Sequence, residues 1–168
     1  MDLMDKYLTS SDLCRLTGLP MGTLKRLRAA GSVLAAKPGS QGRGHADLWS
    51  LTQVLALAVA RGLRSRGVSL EQAGPVLEYF WDMPPVQLED YFRNGQTYLA
   101  LFGTKVLPRL VSQDSIFNNE YVDYSTAATE ALLPAAIDVK LIWERIKTEV
   151  AKSDPKKETR TKRETVRK

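Results

Sequence analysis

The feature that most restricts this chain is the run Asp82-Met83-Pro84-Pro85. Proline lacks an amide N–H, clashes with the preceding helical turn, and pushes the residue before it out of helical geometry. Two in succession forbid a helix through this point, so no single long rod can span the middle of the 168-residue chain. The expected organisation is therefore 1–81, then 86–152, then a tail at 153–168. Charge differs among the three. Residues 1–81 carry ten Lys/Arg and six Asp/Glu, residues 82–152 carry seven and ten, and the tail carries seven and three. Basic ends around a slightly acidic middle point to a polyanion at the ends and a different task between them.

The first part reads as four short helices with a two-stranded interruption. Thr9-Ser10-Ser11-Asp12 supplies hydroxyl N-caps and an acid for a first turn, and Thr17-Gly18 stops that helix after about two turns. Leu13, Cys14 and Leu16 face inward. A second helix is expected from about Pro20 to Ala30, with Leu24 and Leu27 toward the core and Lys25, Arg26 and Arg28 outward. Ser32 to Ala36 has the composition of a short strand, Lys37 to Gly44 is a turn-rich basic loop, and His45 to Trp49 is the returning strand. Ser50-Leu51-Thr52-Gln53 has the form of a capping box, opening a largely covered helix to about Arg66. Ser69-Leu70-Glu71-Gln72 is a second capping box, heading a helix through Val76, Leu77 and Phe80.

Beyond the proline pair, Val86 to Phe92 is expected as a short helix ended by Asn94-Gly95. Thr97 to Phe102 and Val106 to Ser112 are expected strands joined by a turn at Gly103-Thr104-Lys105, with Pro108 confining the second to an edge or an irregular start. Residues 113–130 show no periodicity. Pro134 to Val139 is a candidate third strand, and Lys140 to Lys152 an amphipathic helix carrying Leu141, Ile142, Trp143, Ile146 and Val150. The tail has no aromatic residue and only Val166 as a large aliphatic, the composition of a segment without a core of its own. The fold class expected is mainly α with small β: a helical N-terminal unit, a small α+β module and a disordered basic tail.

The ordered series Thr17-Gly18-Leu19-Pro20, Thr23-Leu24-Lys25, Ala30-Gly31, Trp49-Ser50 and Leu63-Arg64-Ser65-Arg66-Gly67-Val68-Ser69-Leu70 resembles the MerR-type winged helix-turn-helix family. It covers about 70 residues, in the family's order and at its spacing. The resemblance implies a recognition helix entering the major groove of double-stranded DNA, with a wing and neighbouring helix ends on phosphate. It makes Thr23, Lys25 and Arg26 recognition-helix contacts and Arg28 a further basic candidate toward the backbone. Arg43 and His45 fall on the wing, where the family sets basic residues against phosphate or the minor groove. Arg64 and Arg66 rank last as phosphate candidates. The alternative for the helix cations is a plain solvated face. Two positions depart from the pattern. Asp47 stands where the family usually has Arg, so either it points elsewhere or Arg43 replaces the missing cation. Lys25 replaces an Arg, substituting a point charge for a bidentate fork. Cys14 reads as a small packed residue rather than a redox sensor, and Trp49 as core at the wing base.

Family members with a long helix after the DNA-binding unit dimerise through it, and the proline pair argues against such a helix here. Residues 86–152 remain a module for dimerisation or for an effector that the residues do not identify, lacking Cys and His altogether. A homodimer is expected from the resemblance. The tail cluster Lys156 to Arg163 resembles a flexible polyanion-binding arm, the alternative being a solvated terminus.

Several classes are expected to be absent. A single cysteine supports neither a disulfide framework nor a multi-cysteine metal site. No apolar run approaches the ~20 residues of a membrane span, and the first residues lack the pattern of a signal peptide, so a cytoplasmic, nucleoid-associated protein is expected. No P-loop, dinucleotide motif or nucleophile–base set is legible, and Glu89-Asp90 would diverge on a helix, so no cofactor and no catalysis are expected. The leading functional expectation is a DNA-binding transcriptional regulator. Alternatives are an architectural or recombination-accessory factor like the excisionases, and a protein-interaction module that has lost DNA binding, for which Asp47 is the motive.

Overall fold

The computed structural model describes residues 6–39, 46–68, 70–102, 107–114 and 137–153. It is mainly helical with two small antiparallel sheets. The first sheet is a two-residue pairing, β1 (Leu8–Thr9) with β2 (Leu48–Trp49), in the register Leu8↔Trp49 and Thr9↔Leu48. Each strand runs straight into a helix: β1 into α1 (Ser10–Thr17) and β2, through Ser50, into α3 (Leu51–Ser65).

Both helices start with a capping box. The Thr9 side chain accepts from the Asp12 N–H at 3.2 Å and Ser50 Oγ from the Gln53 N–H at 3.2 Å, while Asp12 and Gln53 reach back to the cap amides. Trp49 Nε1 donates to Ser10 Oγ at 3.0 Å, tying one helix start to the other. The pairing β1–β2 thus sets the beginnings of α1 and α3 side by side.

Between them lie α2 (Met21–Ala29) and the connection to β2. The expected strand Ser32 to Ala36 does not form. Two of its backbone groups meet one side chain instead: Gln53 Oε1 accepts from the Ala36 N–H at 3.0 Å and Gln53 Nε2 donates to the Leu34 carbonyl at 3.1 Å. Only Lys37 bridges to Leu48. Of the expected returning strand 45–49, Leu48–Trp49 forms β2 paired to β1, and residue 45 lies outside the described residues.

α3 is the centre of the molecule. Eleven of its fifteen residues are buried, so neighbours cover it on nearly every side. α1, α4 (Leu70–Trp81) and α6 (Val139–Lys152) all pack against it. Pro75 lies inside α4, and the Ser69 that would head its capping box falls outside the described residues. α4 stops at Trp81, as the proline pair requires, and α5 (Pro85–Arg93) begins at the second proline with Pro84 as N-cap. The motif that ends one helix starts the next, since proline's missing N–H costs nothing in a first turn. Asn94 caps α5, and Gly95 takes φ 77° to leave it.

The second sheet has the order β4-β3-β5, with β3 (Gln96–Phe102) between β4 (Leu107–Ser112) and β5 (Ile137–Asp138), all antiparallel. Pro108 is accordingly on an edge strand. The turn at 103–105, the segment 115–130 and the tail from 154 lie outside the described residues. Asp138 caps α6 by accepting from the Leu141 N–H at 2.9 Å. One hydrophobic cluster runs from Leu8 through α3 to Leu99, Trp143 and Val150, so both halves of the chain contribute to the same core. No helix among the described residues is long and apolar enough to cross a membrane.

Candidate nucleic-acid interface

α2 is held lightly by the rest of the molecule. Leu24 is its one buried residue, Leu27 is partly buried, and Pro20 caps it without a side-chain hydrogen bond. Lys25, Arg26 and Arg28 are exposed on it and Thr23 is half-buried. Thr23 and Arg26 meet, the Arg26 Nη2 donating to Thr23 Oγ1 at 3.4 Å. That is a long bond between exposed groups, worth little and easily exchanged for an external acceptor.

Arg28 is engaged differently. Its Nη1 pairs with Asp47 Oδ2, while Asp47 Oδ1 accepts from the Gly39 N–H at 2.8 Å. The Asp47 side chain is only 9% exposed. It fastens the last turn of α2 to the base of the 31–49 connection instead of facing outward. This accounts for an acid at the position where the resembled family has a cation.

Arg43 and His45, assigned to the wing, lie outside the described residues. Arg64 and Arg66 are exposed at the end of α3. Arg64 follows Arg61 by three residues, on the same side of the helix and about 4.5 Å further along its axis. Arg61 itself escaped the sequence reading. Its Nη1 donates to the Thr17 carbonyl at the end of α1, immediately before the turn into α2. No local pattern marks this role, which depends on how α3 crosses the turn. Trp49 is fully buried and meets Trp81 edge-on at 6.2 Å, a core residue at the β1–β2 pairing. Cys14 is half-buried in α1, and burial pushes its thiol above the ordinary value, away from thiolate reactivity.

The electrostatics of this face follow from the chain itself. No Asp or Glu occurs between Asp12 and Asp47, while Arg15, Lys25, Arg26, Arg28, Lys37 and Arg43 do. At the two borders, Asp12 lies 3.6 Å from Arg15 and Asp47 is paired with Arg28. Lys37 Nζ sits 3.9 Å over the Tyr7 ring. α2 therefore presents Lys25 and Arg26 with no carboxylate on its own stretch of chain.

No family model and no curated protein matches this chain. The interface is thus characterised by its own residues: a lightly packed, cationic helix whose two ends are fastened, one by Arg61 at the preceding turn and the other by Asp47. Away from it, Glu89 on α5 accepts from Trp143 Nε1 at 2.6 Å and from Lys147 Nζ at 2.8 Å on α6. Burial pushes the Glu89 carboxyl up, but those hydrogen bonds and the lysine charge outweigh it and hold the group below its ordinary value. This cluster joins two helices and is spent within the fold. Among the described residues no group of His, Cys, Asp or Glu is arranged to hold a metal ion.

Proposed function

We propose that this chain binds double-stranded DNA as a transcriptional regulator of the MerR type, with α2 as the helix that enters the major groove. The observation that carries the reading is the exposed pair Lys25 and Arg26 on a helix embedded in a stretch of 34 residues, 13–46, without an acid. A polyanion is the partner such a surface suits, because each phosphate neutralised releases condensed counterions. Arg26 and Lys25 supply base-edge or phosphate contacts, Thr23 a hydroxyl beside Arg26, and Arg64 and Arg66 phosphate contacts beyond the α1–α2 turn. Arg43 and His45 belong to the wing on this reading. Arg28 serves mainly to hold α2 through Asp47. The role is binding and not catalysis, and the working unit is a homodimer reading two half-sites.

Selection of bound sequences from a pool of random duplexes tests the proposal. Enrichment of a motif with two-fold symmetry, lost when Lys25 and Arg26 are both changed to Ala, is the expected result. Enrichment without symmetry would replace the dimeric regulator with an architectural or recombination-accessory role. Failure to retain any duplex at low salt would exclude DNA binding.

A further inference from the structure

The connection between α1 and α2 is three residues long, Gly18-Leu19-Pro20, and two interactions fix it from opposite sides. On the inner side, Thr17 is buried; its Oγ1 donates to the Leu13 carbonyl at 2.8 Å and accepts from the Leu19 N–H at 3.1 Å. On the other, Arg61 Nη1 from α3 donates to the Thr17 carbonyl. Gly18 caps α1 at φ 66°, and a Cβ there would run into the Arg61 guanidinium. The left-handed backbone favours glycine here, and a side chain at this position would push the Arg61 guanidinium off the turn.

We infer that Arg61 is a positioning residue that sets the angle of α2 against the rest of the molecule. At this end α2 is otherwise held by buried Leu24 and partly buried Leu19, and no side chain caps its start. The guanidinium is suited to this task. It reaches a carbonyl at a helix C-terminus, where the backbone dipole favours a cation. Thr17 alone closes the turn locally but does not relate it to α3; Arg61 supplies that relation. The adjacent Gly62 approaches Ile137 of β5, so the same turn of α3 that reaches the α1–α2 turn also touches the second sheet.

The inference rests on the DNA-binding reading only for its functional consequence, and its test separates the two. Amide hydrogen exchange on the free, full-length protein is compared for wild type, R61A and R61K. Faster exchange confined to Leu19 and α2, by about tenfold or more in R61A, with α6 and β3 unchanged, is expected. R61K, which retains the charge but not the planar fork, should restore little of the protection. Unchanged exchange across 17–29 in R61A, or full protection in R61K, would overturn the inference. So would a loss spread over the whole chain in both variants. DNA titration of the same proteins adds a second readout. A positioning residue lowers affinity while leaving the salt slope as in wild type, whereas a phosphate contact lowers the slope by about 0.9. A reduced slope with unchanged exchange would make Arg61 a phosphate contact instead. Wild-type protein that binds no duplex would refute the functional proposal and leave the exchange result to decide the role of Arg61 in the fold.

Discussion

At Asp47 a single carboxylate serves two masters, the Gly39 amide and the Arg28 guanidinium, and it is almost fully covered while doing so. Asn in its place keeps an acceptor for Gly39 but drops the charge that holds Arg28. D47N is therefore expected to release Arg28 toward phosphate, to bind duplex DNA more tightly, and to steepen the salt dependence by about 0.9. Weaker binding with the slope unchanged would mean that the pair orients α2 more than it withholds a cation. The glycines of this region separate in the same way. Gly18 is left-handed and a Cβ there would displace the Arg61 guanidinium, so G18A should cost about 1–2 kcal/mol in chemical denaturation. Gly22 lies within α2 and a Cβ there meets nothing, so G22A should stabilise the fold by roughly 0.5–1 kcal/mol. Equal effects at the two sites would contradict the left-handed backbone described at Gly18.

Elements differ in how openly they were written in the sequence. Helix starts at Thr9 and Ser50, the stop at Gly18 and the break at Pro84-Pro85 rest on neighbours within four residues, and each formed as expected. The two-residue β1 did not show, because its partner lies 40 positions away and two residues carry no alternation. The expected strand at 32–36 failed for a related reason. Gln53, legible as a capping residue, also satisfies the Leu34 and Ala36 backbone, a second use visible only in three dimensions. Q53A removes the reciprocal half of the cap and both loop anchors at once. A loss of about 1–3 kcal/mol in urea denaturation is expected, with the larger values if the Ala36 N–H stays dry. The α5–α6 contact supplies a pH test. Since the Glu89 pKa is held below its ordinary 4.5, its contribution is present above that value and fades as pH falls through the folded-state pKa. E89Q should be less stable than wild type at pH 7, and the gap should narrow as acid protonates Glu89. A gap independent of pH would show that shape, not charge, joins these helices.

On the scale of the whole molecule, α3 acts as a hub, with the α1–α2 unit on one side and the second sheet with α6 on another. The C-terminal helix returns to the N-terminal unit, where Glu149 comes within 4.0 Å of Arg15 and Lys6 donates to the Val150 carbonyl at 3.5 Å. The cations of α2 were legible because helical periodicity alone sends them outward. Arg61, Asp47 and Gln53 were not legible in their roles, since each has a partner 17 residues or more away. Asp47 could lie against phosphate or point elsewhere, and it faces Arg28 and the Gly39 amide. The central claim is that the exposed face of α2 meets duplex DNA. Its most direct test is the affinity of the full-length protein for a duplex, measured as a function of salt, beside K25A/R26A. The account predicts a linear fall of log K with log salt, and a double variant that binds more weakly, its slope shallower by about 0.9 for each of the two side chains that meets phosphate. Binding that ignores salt, or a double variant that titrates as wild type does, would contradict it.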